Sequence, residues 1–347
     1  MARLNLNAIT QWITAAALRQ PERLDAELAA RTGVSQRTAR RALARLVELN
    51  WLVRDGSVRR PQWRPGAMRQ VVQRYALDGL AEDIPWALDF GPCFTFPASV
   101  QRMVQHAFCE LLNNAIEHSG GSHVTVSLRQ TATQAQLLVS DNGLGLFERI
   151  AQTFAIASPA LAMLELSKGK LTSQPHRHTG QGLFFTSKLA DVFDLRANEA
   201  AFQQREWDGQ GWRPQRALKH SGTSVYAAFA LDTLRTLDGV RQAYSIDGSG
   251  VDFERTVVPL RLITSSIEGL ESRAQARRVR ERLGEFRRAE VDFGGVPVIG
   301  HAFADELFRV LAPSQPGLEL VPVNMTPAVA ALVASIQGSV NAPRRAA

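Results

Sequence analysis

The chain has 347 residues, room for two or three domains, with 45% hydrophobic and 21% charged residues as in ordinary globular proteins. No apolar run is long enough to span a bilayer, and two cysteines, Cys93 and Cys109, exclude a disulfide framework or a zinc site and favour a reducing compartment. The formal charge of +7 is placed unevenly: residues 1–65 hold twelve arginines against five acids, and the rest of the chain balances. The opening "MARLNLNAITQWI" lacks the basic-then-apolar layout of a signal peptide, so a cytoplasmic protein is expected.

The first segment reads "RLDAELAARTGVSQRTARRALARLVELNWLVRDGSVRRPQW". Leu24, Leu28 and Ala29 begin a short helix that Gly33 breaks, and Ser35 is a good N-cap for a second. Ala39, Ala42, Leu43, Leu46, Val47 and Leu49 form its buried stripe; Arg37, Thr38, Arg41 and Arg45 lie off it. "WLV", the turn "RDGS" and "VRRPQW" read as two paired strands. Helix, glycine turn, basic helix and basic hairpin together resemble a winged helix-turn-helix, here assigned to residues 1–65; a small helical protein-binding domain is the alternative. The resemblance implies double-stranded DNA as partner. Gln36, Arg37, Thr38, Arg41 and Arg45 would meet the duplex from the second helix, and Arg59 and Arg60 would meet phosphates from the wing.

Residues 66–97 read as a connector, with a helix over 68–80 and breaks at Pro85, Gly91, Pro92 and Pro97. A helix over 99–119 follows. Its stretch "CELLNNAIEH" sets Glu110, Asn113, Asn114, Glu117 and His118 on one face, and Phe108, Leu111, Leu112, Ala115 and Ile116 on the other. Adjacent asparagines are poor helix formers, which points to a use for their amide oxygens. "GGSHVTVSLRQ" and "AQLLVSDNGLGL" read as strands, the second ending at Asp141 before two flexible glycines. "HTGQGLFFTSKLADVF" is a glycine turn opening a helix, and "SGTSVYAAFAL" a closing strand.

This ordered set, over residues 98–232, resembles the GHKL ATPase superfamily shared by gyrase, Hsp90, MutL and sensor histidine kinases, with its α/β sandwich. The resemblance implies ATP and Mg²⁺ as cofactors. It gives Asn114 an amide oxygen on the metal and Glu110 the role of base toward an attacking water. Asp141, with Gly143 and Gly145, would accept from the adenine amino group, and Thr223 would support the adenine pocket. Thr179, Gly180 and Gly182 would bring backbone N–H groups to phosphate at the start of a helix. Residues 146–178 would be the lid; His176 and His178 within it have no metal-ligand pattern around them.

The third segment, 245–340, alternates strands and helices, a small α/β arrangement. "LESRAQARRVRERLGEF" is a helix anchored by Ala274, Val279 and Leu283, and Pro327 opens the last helix. Residues 272–336 resemble STAS-like domains of unknown function. The arginines at 277, 278, 280, 282, 287 and 288 read as a solvated helix face. Kinases of the anti-sigma type phosphorylate a serine on a STAS partner, but here Gly300, His301 and Ala302 occupy that loop. The whole is a multidomain α+β protein. Its expected function is an ATP-binding, DNA-binding transcriptional regulator, with the STAS-like domain docking a protein or sensing a signal. An anti-sigma-type protein kinase or an ATPase is the alternative, and a homodimer remains open.

Overall fold

The computed structural model of the chain describes residues 4–57, 60–156, 158–172, 180–208, 211–216, 220–264, 269–311 and 315–341. In chain order its elements are α1 (Leu6–Thr10), α2 (Ile13–Arg19), α3 (Leu24–Thr32), α4 (Gln36–Glu48), β1 (Leu52–Gly56), β2 (Pro61–Pro65), β3 (Arg69–Ala76), α5 (Asp83–Pro85), α6 (Ala98–His118), β4 (His123–Gln130) and β5 (Gln134–Asp141). Then come α7 (Leu146–Phe154), α8 (Pro159–Lys168), α9 (Gly182–Leu189), β6 (Val192–Asn198), β7 (Ala200–Arg205), β8 (Trp212–Gln215), β9 (His220–Ala230) and α10 (Leu237–Ala243). The last are β10 (Arg255–Pro259), α11 (Arg273–Arg280), β11 (Arg288–Asp292), α12 (His301–Ala304), β12 (Glu319–Val323) and α13 (Pro327–Asn341). They divide into two compact units: Met1–Leu146 with His220–Leu234, and Phe147–Lys219 with Arg235–Ala347.

The first unit opens with a helical module whose core joins Ile9, Ile13, Ala16, Leu24, Leu28, Ala39, Leu43 and Leu46 to Trp51, Leu52 and Trp63 of the hairpin. Gly33 ends α3 at φ +68, where a Cβ would meet nothing within 4 Å; the left-handed backbone, not space, calls for glycine. The Ser35 hydroxyl accepts from the Thr38 N–H at 3.3 Å and starts α4 as expected. Leu49, expected in the buried stripe, is instead exposed, because it forms the C-cap of α4 and has left the helical phase. β1 and β2 pair antiparallel from Leu52↔Pro65 to Gly56↔Pro61.

Residues 68–80 are not a helix. Arg69–Ala76 form β3, antiparallel to β4 from Arg69↔Gln130 to Ala76↔His123. Met, Arg, Gln and Ala favour helix locally, but pairing along the whole strand and burial of Val71 outweigh so weak a preference. The segment read as a connector therefore supplies a strand, and the order in this unit runs β3-β4-β5-β9, all antiparallel. The Gln11 carbonyl accepts from Val72 N–H at 3.0 Å, and the Thr14 hydroxyl accepts from Gln70 N–H at 3.2 Å. The helical module thus covers the edge of β3. α6 buries Val100, Met103, Val104, Ala107, Phe108, Leu111, Leu112 and Ala115 against β5 and β9.

In the second unit β6, β7 and β8 form an antiparallel meander, and β10, β11 and β12 a parallel set in that order. α8 packs against β10. α11 is anchored by Ala276 and Val279, with Leu283 just beyond; Ala274, expected as an anchor, is exposed. Among the described residues no single helix is long and apolar enough to cross a membrane.

Candidate functional site

In the first unit α6 presents Glu110, Asn113, Asn114 and His118 half-buried along the polar face read from the sequence, with Glu117 exposed at its end. A Glu110 carboxylate oxygen lies 3.9 Å from His106 Nδ1, one turn earlier. The next residue, Cys109, is no nucleophile at neutral pH: burial, with the acids Glu82 and Glu110 adding to it, pushes its thiol up to about 11.

The C-terminus of α6 is tied to the loop that follows β5. Leu144 N–H donates to the Ser119 carbonyl at 2.9 Å. A Cβ on Gly143 would lie 2.2 Å from that same oxygen, so only glycine permits the approach. Gly145 continues the loop at φ +92. Neighbouring Asn142 works for the fold: its Oδ1 accepts from Ser122 and His123 N–H, each at 2.9 Å.

Asp141, 8% exposed, sits at the end of β5. Its Oδ1 accepts from Gly143 N–H at 2.8 Å and from Thr223 N–H at 3.2 Å. Burial pushes this carboxyl above the ordinary aspartate range, against the pull of those two N–H groups. Thr223 serves twice, since its hydroxyl also accepts from Leu146 N–H at 2.9 Å. Gly222 packs so closely that a Cβ would lie 2.2 Å from the Asp141 carbonyl oxygen. Sequence reading passed over Gly222, although it stands in the quoted "SGT". The structure therefore brings Asp141, Gly143 and Thr223 into one hydrogen-bonded group, with Asn114 and Glu110 on the helix bonded to it at Ser119.

Gly180 and Gly182 belong to the second unit. Gly180 has φ +65, and a Cβ there would lie 2.6 Å from the Leu171 carbonyl oxygen. Gly182 is the first residue of α9, and Gln181 before it caps no N–H with its side chain. Thr179, His176 and His178 lie outside the described residues.

On α4, Gln36, Arg37, Thr38, Arg41 and Arg45 are all exposed, opposite the buried stripe. Arg45 pairs with Glu48 at 2.6 Å, and Arg40 reaches back to Asp25 at 2.9 Å. The Thr38 hydroxyl lies 3.0 Å from the capping Ser35 Oγ. Arg60 is exposed between the hairpin strands; Arg59 lies outside the described residues.

Of the third segment's arginines, Arg277, Arg278 and Arg287 are exposed, as the solvated-face reading expects, whereas Arg282 and Arg288 are half-buried and Arg280 is buried. Arg277 pairs with Glu306 at 2.7 Å, Arg287 with Glu254 at 3.0 Å and Arg288 with Glu319 at 3.2 Å. Arg280 is only 6% exposed. The helix that follows β11 starts at Gly300 and His301, with Gly300 N–H donating to the Leu270 carbonyl at 2.7 Å.

Two family models match the chain. Residues 275–330 match a STAS-like domain of unknown function. Residues 70–202 match the histidine kinase-like ATPase domain. No curated protein matches it. The ATPase match begins in β3, within the segment read as a connector, and covers Glu110, Asn114, Asp141, Gly180 and Gly182. The chain thus contains a histidine kinase-like ATPase domain, a nucleotide-binding module that typically works with Mg²⁺, followed by a STAS-like domain.

Proposed function

We propose that the protein is an ATP-dependent, DNA-binding regulator. The observation that carries the nucleotide part is Asp141. A buried carboxylate is costly unless its oxygens are hydrogen-bonded or paired, and both described N–H bonds to it fall on Oδ1. Oδ2 keeps the capacity to accept from the adenine amino group, and Gly143 and Gly222 hold the backbone where no Cβ would fit. Thr223 fixes the carboxylate and, through Leu146, the loop beside it.

The residues also fit Mg²⁺, which prefers oxygen and keeps several waters. Asn114 offers one amide oxygen from a half-buried position on α6, and phosphate and water oxygens complete such a shell. Bound there, Mg²⁺ neutralises phosphate charge. Glu110, one turn earlier, is placed to hold a water by its carboxylate and to take its proton. Gly180 and Gly182 stand at the start of α9, where a helix's first backbone N–H groups and its dipole suit phosphate.

The DNA part is supported by the arginine excess of residues 1–65 and by the exposed row Gln36, Arg37, Arg41 on a capped helix with a hairpin after it. The order α3, turn, α4, hairpin supports a winged helix-turn-helix reading. The STAS-like domain then docks a protein or senses a signal. Glu110 favours a second reading, an ATPase or a protein kinase.

Calorimetry of the whole chain with ATP, with and without Mg²⁺, tests the nucleotide reading; absence of binding overturns it. Incubation with γ-labelled ATP separates the readings. Free phosphate marks an ATPase, labelled protein a kinase, and neither leaves a binding switch.

A further inference from the structure

Residues 165–170, inside the ATPase match, are joined to the STAS-like region through buried charge. Lys168 is fully buried and Glu165 is 4% exposed. The Lys168 ammonium has three N–H bonds to give and three acceptors to meet them: Glu165 Oε1 at 2.5 Å, the Glu281 carbonyl at 2.8 Å and the Arg278 carbonyl at 3.4 Å. Arg282 reaches Glu165 Oε2 at 3.4 Å and donates to the Lys170 carbonyl at 2.6 Å. Thr256 of β10 donates to the Lys168 carbonyl at 2.7 Å, and Lys170 Nζ to the Glu285 carbonyl at 2.7 Å. Lys170 and Arg282 both hold φ +60, a strained backbone for side chains of this kind, which persists where surrounding contacts fix it.

We infer that the STAS-like domain regulates the nucleotide site by holding this segment, an inference that rests on the nucleotide reading above. The link toward the phosphate motif is short. Leu171 directly follows the clamped residues, and Gly180 packs on the Leu171 backbone so closely that no Cβ fits. α9, which starts two residues after Gly180, is itself held: Phe184 and Phe185 pack tilted against Phe253 at 4.7 and 5.2 Å between centroids, and Phe253 meets Phe286 edge-on at 5.3 Å. A phosphate that repositions Gly180 and Gly182 must therefore move Leu171, and with it the clamp, or be resisted by it. The domain that holds Arg282 in place sets nucleotide affinity, and nucleotide sets the state of that domain in return, because linkage is reciprocal.

The test uses the full chain, a non-hydrolysable ATP analogue with Mg²⁺, and hydrogen exchange read over 160–171 and 273–286. In the wild type the analogue changes protection in both stretches. In Arg282→Ala the analogue still binds, its affinity shifts by about fivefold or more, and the response of 273–286 disappears. A wild type that binds the analogue with no response in 273–286 overturns the inference, as does an Arg282→Ala protein that keeps both affinity and response. If no analogue binds the wild type, the nucleotide reading has failed and the inference falls with it; the clamp itself is then judged by whether Arg282→Ala speeds nucleotide-free exchange over 160–171. Should Arg282→Ala not fold, the double variant Glu165→Gln, Lys168→Met, which removes both charges together, is read in the same way.

Discussion

Asp141 carries a cost that its proposed role explains. Its folded-state affinity for a proton is raised by burial, so folding favours the protonated form. The stability withheld while the group is ionised returns as the pH falls through the folded-state value. Asp141→Asn keeps an oxygen for the Gly143 and Thr223 N–H groups but removes the charge. It is expected to raise the thermal midpoint at neutral pH by about 2 °C or more, a gain that shrinks on acidification. The same change places an amide where the adenine amino group needs a charged acceptor. ATP affinity should fall at least tenfold, since such a bond is worth about 1.5–3 kcal/mol. Differential scanning calorimetry across pH and ATP titration check the two signs; equal affinity would remove Asp141 from the pocket. Glu110 answers to a different measurement. Glu110→Ala leaves Asn114 and Asp141 in place, so ATP binding should survive while phosphate release drops by about a hundredfold. Turnover equal to the wild type would end its role as base.

At the scale of elements, the proposed DNA-binding role would divide its work between α4 and the hairpin. Arg41 stands on the exposed face of α4 within its first two turns, where a recognition helix meets base edges, and Arg60 stands between the hairpin strands. Arg41→Ala should relax sequence preference at a cost of about 1–3 kcal/mol on the preferred site. Arg60→Ala should weaken all duplexes alike and reduce the salt slope by about one. Binding of a selected duplex and a scrambled one over a salt series distinguishes them, and identical profiles for the two variants would contradict this division. α4 was legible in the sequence because local signals agreed: Ser35 as cap, Gly33 as break and a stripe at helical spacing; the hairpin was legible as a pair, but Arg54, Asp55 and Gly56, read as its turn, belong to β1. α6 was legible for the same reason. β3 was not, because its local composition favours a helix and its partner β4 lies some fifty residues away. β6 carried a readable signal that was missed. Phe193, Leu195 and Ala197 are all fully buried and alternate with polar residues, but "KLADVF" reads as a helix running on. The clamp was beyond reach: Glu165 and Arg282 are 117 residues apart, and neither sits in a motif.

For the whole molecule, the question is whether nucleotide and DNA belong to one equilibrium. If residues 1–65 bind duplex DNA as proposed, their charge excess would make that binding salt-dependent whatever the ATPase domain does. Regulation requires more, because a ligand with equal affinity for two states shifts nothing however tightly it binds. The helical module and β3 belong to one compact unit with Asp141 and Thr223. Gln11 and Thr14 bond directly to β3, and β3 pairs with β4, which pairs with β5 up to Asp141 itself. A strand-to-strand path therefore runs from Asp141, the proposed adenine acceptor, to the module that carries α4. Mg²⁺ and ATP are expected to change affinity for a selected duplex by about fivefold or more, a coupling on the order of 1 kcal/mol. Asp141→Asn should bind the same duplex and show the shift only at nucleotide concentrations at least about tenfold higher. Anisotropy titrations of labelled duplex at fixed salt, over a nucleotide series from none to saturating, read both. A wild type whose duplex affinity ignores nucleotide would refute the switch while leaving DNA binding intact, and the ATPase or kinase reading would then take its place.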